Sequence, residues 1–249
     1  MEEMRRILIT GGTGNIGSRL VTDMLKDGHE VLFTSRTTGS AQRAMEKNRW
    51  DGNKCKPIIV EFSSENALGI TLSQLNELPD GVIHNARSLD TFQMDENGVI
   101  DDDSFQLEFF NGVTFPYRLT MELALKKQGL RDVIFISSMY GNVAPTPSLY
   151  TNFKKQSPVN YGVVKAAQIH LAKELAVRLA PEVRVNTISY GGVEGRVDNA
   201  FKERYAKLTP SRRMVNHDDL FPPVKYFLAN ENLNVTGENL KVDGGWTIW

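Results

Sequence analysis

A chain of 249 residues fits one large α/β domain over 1–249 better than two small ones, and it can bury a core without disulfides. Its 29 basic and 30 acidic residues give a net charge of -1, which excludes a global field that would recruit nucleic acid or an anionic membrane. A single cysteine, Cys55, excludes an intramolecular disulfide, and no run of 18 apolar residues is present to span a bilayer.

Short apolar runs alternate with segments of helical period, the pattern of repeated βαβ units. MEEMRR leads directly into the first run, a predicted strand over 5–9, with no leader-like segment, so a cytoplasmic protein without a membrane partner is expected. Thr10-Gly11-Gly12-Thr13-Gly14-Asn15-Ile16-Gly17 follows and opens a helix over 15–27. Glycines there let the backbone turn tightly and approach a pyrophosphate, while free N–H groups and the helix dipole supply a positive end. Gly11, Thr13, Gly14, Asn15, Ile16 and Gly17 are therefore expected to hold a dinucleotide. The second strand, 30–35, ends in Ser35-Arg36-Thr37-Thr38, where a NAD site usually carries a carboxylate for the ribose 2′-OH. A guanidinium flanked by hydroxyls suits a 2′-phosphate instead. Ser35, Arg36 and Thr37 thus predict NADP(H), with NAD(H) the other nicotinamide nucleotide open to the site.

Further along come a helix at 40–49, a strand at 57–61, a helix at 65–77 and a strand at 81–84. Cys55, just before the third strand, is expected to be a buried or half-buried structural thiol. A loop at 86–103 with the run Asp101-Asp102-Asp103 leads to a long helix at 104–128 and a strand at 132–136. The loop at 139–157, with turn chemistry around Pro145, Pro147 and Pro158, precedes a helix at 158–180, a strand at 183–188, a loop at 190–215, a helix at 217–229 and a strand at 238–242. Seven strands and six helices make a Rossmann-type, doubly wound, parallel seven-stranded sheet with helices on both faces. All three long loops leave the carboxyl end of a strand, the ligand edge of such sheets, and are expected to be substrate loops.

Chemistry concentrates on that edge. The strand at 132–136 delivers Ser138, and Tyr161-Gly162-Val163-Val164-Lys165 opens a helix 23 positions later (161 − 138). A Tyr and a Lys at i and i+4 share a helix face, and a nearby cation favours phenolate over a phenol of ordinary pKa about 10. His84 lies inside a strand and is expected to be structural; His29, His170 and His217 lack ligand spacing, so no metal site is expected. In a presumed lid over 194–213, Arg196, Lys202, Arg204, Lys207, Arg212 and Arg213 outnumber Glu194, Asp198 and Glu203. Either this is a solvated amphipathic helix, or some of the cations face the cleft and bind a phosphate or carboxylate.

The TGxxGxxG turn at 10–17, Asn85-Ala86, Asn111, Ser138, the YxxxK of 161–165 and Val242-Asp243-Gly244-Gly245-Trp246 together resemble the short-chain dehydrogenase/reductase family over nearly the whole chain. The resemblance implies that Tyr161 is the general acid or base and that Lys165 binds the nicotinamide ribose and lowers the tyrosine pKa. It implies that Ser138 orients the substrate oxygen and that Asn111 holds a water in the proton relay. Glu61 and Phe62 after the third strand, Asn85 and Ala86 on the adenosine side, and Gly191 and Val193 near the carboxamide complete the implied cofactor set. Pairing into a homodimer or homotetramer through the helices at 104–128 and 158–180 and around the last strand is implied as well.

Departures are His84-Asn85-Ala86-Arg87 for the family's NNAG, Tyr190-Gly191 for Pro-Gly, Gly195 for a threonine, and Glu61 for an aspartate. The wide interval between Ser138 and Tyr161, with the TGxxGxxG turn, resembles the branch acting on nucleotide sugars, whereas the C-terminus from Val235-Thr236-Gly237 to Trp246 resembles the shorter branch; Ser137-Ser138-Met139-Tyr140-Gly141 with Ala144-Pro145 resembles oxidoreductases of flagellin modification and nonulosonic-sugar pathways. The expected function is an NADP(H)-dependent oxidoreductase of a small-molecule substrate, sugar-like or phosphorylated, with hydride passing between nicotinamide and a carbonyl or carbinol carbon. A nucleotide-sugar epimerase or dehydratase, or a non-catalytic dinucleotide sensor, is the alternative, and cofactor stoichiometry separates them.

Overall fold

The computed structural model describes residues 3–126, 129–195, 197–228 and 234–249. Its strands are β1 (Arg6–Ile9), β2 (Glu30–Ser35), β3 (Cys55–Ile59), β4 (Gly81–His84), β5 (Asp132–Ser138), β6 (Arg184–Tyr190) and β7 (Asn239–Val242). All pair in parallel, in the order β3-β2-β1-β4-β5-β6-β7. This is the doubly wound Rossmann-type sheet that the alternation of runs predicts.

Strand residues alternate between two buried faces. Ile7 and Ile9 of β1, with Ile134 and Ile136 of β5, pack with Leu20, Val21 and Met24 of α1 (Asn15–Lys26), Ala41 of α2 (Thr38–Asn48) and, near the chain's end, Val224 and Phe227. Leu8, Val82, Val133 and Phe135 point the other way, toward Ala67 of α3 (Ala67–Ser73) and two long helical segments. The first segment comprises α4 (Asp102–Phe109), a π-helical turn (Phe110–Thr114) and α5 (Phe115–Leu125). The predicted helix at 104–128 is thus interrupted at Asn111-Gly112, and its positions 127–128 lie outside the described residues. The second segment, after the short α6 (Phe153–Gln156), is α7 (Val159–Leu179).

Two further helical regions differ from expectation. The 190–215 loop contains α8 (Asn199–Leu208), capped by Asp198 accepting from the Phe201 N–H at 2.7 Å. The predicted helix at 217–229 splits into a 3₁₀ turn (His217–Asp219) and α9 (Phe221–Leu228), consistent with Pro222-Pro223 suiting only a first turn; position 229 lies outside the described residues. Beyond the sheet's carboxyl edge, Met139, Leu149, Tyr205, Met214 and Trp246 form a separate apolar cluster under α8, with Tyr205 and Trp246 stacked at 4.6 Å.

The opposite, amino edge is held by charge. Asp132 at the start of β5 is buried and pairs with Arg5 at 2.8 Å and with Arg184 of β6 at 2.8 Å, while Arg5 also reaches Asp80 at 2.7 Å. Cys55 opens β3 and is buried, and burial pushes its thiol up to about 12. Because β1 and β4 are neighbours although β2 and β3 intervene in sequence, the chain reverses direction across the sheet there, and a crevice opens at their carboxyl ends.

Candidate active site

That crevice is a cleft of about 620 Å³, within the range of small-molecule sites. Its floor on the β1 side is the glycine turn. Gly11 takes φ +70°, and a Cβ there would stand 2.8 Å from the Ala86 Cα; a Cβ on Gly17 would stand 2.2 Å from the Gly11 carbonyl oxygen. The turn is tied to the end of β4 by Asn85, whose amide donates to the carbonyls of Thr10 and Gly11 at 3.1 and 3.2 Å. Gly14, the N-cap of α1, offers no side chain to the helix's first N–H groups, which therefore stay open to a ligand. Asn15 donates to the Glu194 carbonyl at 3.2 Å and bonds His217 Nε2 at 3.1 Å, joining the turn to the loop that follows β6.

Four polar side chains converge farther along. β5 runs two residues beyond its predicted end, so Ser138 is its last residue, paired opposite Tyr190. Its hydroxyl oxygen accepts from the Tyr140 N–H at 3.2 Å, leaving its own proton free to be donated. Tyr161 stands in the first turn of α7; its ring meets Phe92 edge-on at 5.5 Å and lies 5.8 Å from Lys165 Nζ. Lys165 is buried and donates to the Ile136 carbonyl at 2.7 Å and to Gln168 Oε1 at 3.0 Å, so one of its three donors remains. Burial, reinforced by Arg87 and opposed by Glu108, lowers its ammonium to about 7. Asn111 sits in the π-helical turn, and its buried Oδ1 has no hydrogen-bond partner among the described residues.

The π-helical turn has a visible support. A π turn leaves carbonyls uncommitted to the α pattern, and Gln168 Nε2 donates to that of Gly112 at 2.8 Å while its oxygen receives Lys165. Gly112 also permits the helices to approach, since a Cβ there would stand 2.3 Å from Val164 Cγ1. Gln168 thereby connects Lys165 to the segment that carries Asn111.

Beneath the cleft lies a carboxylate that sequence reasoning missed. Glu108 of α4 is buried and accepts from Thr91 Oγ1 at 2.6 Å, and the Thr91 carbonyl accepts from Asn160 Nδ2 at 2.8 Å. Burial raises the Glu108 pKa above 4.5, against the opposing pulls of the Thr91 hydroxyl, Lys165 and Arg87. A raised folded-state pKa means stability that is fully present below about pH 4.5 and is lost as pH rises through the raised value. Glu108→Gln keeps an acceptor for Thr91 and removes this titration. Its melting temperature is expected to gain on the native protein's as pH climbs from 4 to 8, and a pH-independent difference would refute the assignment.

All but one of the sequence-predicted site residues line this cleft: Asn111, Ser138, Tyr161 and Lys165, the glycine-turn residues, Ser35 and Arg36, Glu61 and Phe62, Asn85 and Ala86, and Gly191 and Val193. Thr37 does not; its hydroxyl caps α2 by accepting from the Ser40 N–H at 3.1 Å. Arg36 is at the rim but bonded to Asp90 at 3.0 Å, a partner that the sequence did not suggest. His84 is buried, bonds Thr120 at 2.8 Å, and is held neutral by burial with its pKa lowered to about 3, which suits a structural residue. Two of the lid cations are engaged elsewhere, Arg204 donating to the Leu149 carbonyl at 2.8 Å and Arg213 pairing with Asp219 at 2.9 Å, and none of the described lid residues from 194 to 213 lines the cleft. Arg196 lies outside the described residues. Among the described residues no helix is long and apolar enough to cross a membrane, and no group of three or more potential metal ligands occurs.

Comparison with known proteins is consistent with this architecture. A family model described as enoyl-(acyl carrier protein) reductase, of the short-chain dehydrogenase group, matches residues 12–247. The post-translational flagellin modification protein A of Campylobacter coli is 38% identical over 124 residues, a match spanning 49% of this chain and 48% of that protein. An NADP-dependent mannitol dehydrogenase of Alternaria alternata is 26% identical, with 97% of this chain and 92% of that one covered. A short-chain dehydrogenase from Leptospira borgpetersenii, solved with bound NAD+, superposes with a TM-score of 0.83 at 28% identity, covering 99% and 94% of the two chains. With the sheet order, the glycine turn and a family match over nearly its whole length, the chain belongs to the short-chain dehydrogenase/reductase family of oxidoreductases.

Proposed function

We propose that this enzyme uses NADP(H) to interconvert a carbonyl and a carbinol on a small, sugar-like substrate. The observation that carries the reading is the convergence of Ser138, Tyr161, Lys165 and Asn111 at one end of a cleft whose other end is an uncapped glycine turn. The cleft fits a nicotinamide dinucleotide: the open N–H groups of α1 suit its diphosphate, and the unpartnered Asn111 Oδ1 suits a water beside it. When bound, the nicotinamide gives up or accepts the hydride. Tyr161 supplies the proton to the substrate oxygen in reduction and removes it in oxidation. Ser138 donates a hydrogen bond to that oxygen and orients it. The remaining Lys165 donor would hold the nicotinamide ribose, with its charge favouring the phenolate, and Asn111 would hold the water through which the phenol's proton is replaced.

Preference for NADP(H) rests on Arg36 and Ser35 at the end of β2. The Arg36–Asp90 pair is exposed on both sides, and such pairs contribute little, so a 2′-phosphate dianion can take the guanidinium over. A sugar-like substrate is in keeping with the names of the mannitol dehydrogenase and of the flagellin modification protein among the relatives. Association of two or more copies is supported by Tyr117 and Leu125 of α5 and Val163 and Val177 of α7, all exposed. The test is nicotinamide turnover with mannitol, sorbose, fructose and sugar phosphates, using each nucleotide. A higher kcat/KM with NADPH than with NADH is expected. A higher value with NADH refutes the cofactor assignment, and turnover without net nucleotide consumption refutes the oxidoreductase reading in favour of epimerisation or dehydration.

A further inference from the structure

The cleft contains a cation to which the oxidoreductase reading assigns no task. Arg87 follows Asn85-Ala86 off the end of β4, at the position where the family motif has a glycine, and its side chain is exposed to the cleft. Two rings hold it: the guanidinium lies 5.3 Å from the Phe92 centroid and 5.2 Å from that of Tyr161. Cation–π contacts fix the plane of a guanidinium without using its N–H groups. No ion pair within 4 Å and no side-chain hydrogen bond engages Arg87 among the described residues, so its five donors are available to an acceptor in the cleft.

Charge around it is unbalanced. Arg87 and Lys165 share one nearby carboxylate, Glu108, which is buried beneath the loop and takes its hydrogen bond from Thr91. Asp90, the acidic neighbour in sequence, is occupied by Arg36 and by the Ser88 hydroxyl. Among the described residues, no carboxylate therefore engages the Arg87 guanidinium directly. The glycine turn and the start of α1 serve a diphosphate at the other end, which leaves Arg87 for a different anion.

We propose that Arg87 is the receptor for an anionic group, a phosphate or carboxylate, carried by the substrate; this rests on the reading of the cleft as an oxidoreductase site and narrows its substrate class. The planar donor fork, held over the Phe92 and Tyr161 rings, suits a two-point hold on such a group beside the acid–base residue. Among the described lid residues none lines the cleft, so the receptor is placed at Arg87.

The test compares matched probes by calorimetry on the NADPH-saturated full chain: fructose 6-phosphate against fructose, gluconate against sorbitol, and inorganic phosphate alone. At least one anionic probe is expected to bind about tenfold or more tighter than its neutral partner, the scale of a charge-assisted contact. Arg87→Gln should bring the pair within about twofold, and Arg87→Lys, which keeps the charge and loses the fork, should retain part of the difference. Melting curves check that both variants fold. The proposal is overturned if no anionic probe outbinds its partner, if Arg87→Gln keeps the preference, or if that variant weakens NADPH binding tenfold, which would give Arg87 to the nucleotide's own diphosphate. Anion preference that depends on Arg87, in a protein showing no nicotinamide turnover with any substrate, would leave the receptor standing and remove the oxidoreductase site on which the substrate assignment rests.

Discussion

Tyr161→Phe is expected to lower kcat by about 10²–10⁴-fold, the usual worth of a positioned acid–base group, while leaving the fold in place. The substitution is well posed because every contact made by the ring survives it. Phe92 still meets an aromatic face at 5.5 Å, Arg87 still stacks, and Lys165 keeps its bonds to the Ile136 carbonyl and Gln168. Only the hydroxyl is lost. Nucleotide affinity should fall by less than about tenfold, since at most one neutral hydrogen bond goes with the oxygen. Steady-state turnover, NADPH titration and a melting curve on the same preparation separate the cases. A variant retaining more than a tenth of native kcat, or one that loses turnover only because it no longer binds nucleotide, would remove Tyr161 from the chemical step.

Sequence was a good guide wherever local pattern and fold agree. Parallel strands buried on both faces read as continuous apolar runs such as Ile7-Leu8-Ile9, and the glycine turn follows directly from the first of them. The residues that escaped notice are polar groups sitting inside otherwise apolar stripes. Gln168 lies between Val164 and Ala172 on the buried face of α7, and Glu108 lies one turn before Asn111; a polar residue in such a stripe was the available signal. Arg87 was visible as a departure from the family motif, but nothing in one dimension shows that it folds over Tyr161. The lid, open in sequence between a solvated helix and a cleft-facing one, shows the reverse situation. Its excess of positive charge is real, yet Asp219, outside the counted segment, neutralises Arg213, and Arg204 is used to hold the Leu149 loop. Net charge along a segment says little about which way each side chain points.

The largest stability effect is expected far from the chemistry, at Asp132→Ala. Asp132 is 2% exposed and Arg5 4%, and the carboxylate receives Arg184 Nε at 2.8 Å and Arg5 Nη1 at 2.8 Å where β5, β6 and β1 begin. Removing one partner of a buried ionic cluster takes away much of the compensation of the remaining charges in low dielectric, a loss of up to about 3–5 kcal/mol. For a chain of this size that corresponds to roughly 6–20 °C in Tm. Asp80 limits the damage by keeping Arg5 at 2.7 Å, and Asp132→Asn, which preserves an acceptor, should lose less than the alanine variant. Because the pair is buried, added salt should change the loss little, unlike at the exposed Arg36–Asp90 pair. The site itself lies at the opposite edge of the sheet, so the folded fraction should keep native kcat. Equilibrium denaturation paired with turnover reads both quantities, and a loss below about 1 kcal/mol would mean that the two arginines find other partners. What the measurement reports is the cost of taking the carboxylate from between Arg5 and Arg184; an apolar replacement of the whole cluster could leave stability unchanged, since ionic groups taken from water recover little beyond their own desolvation.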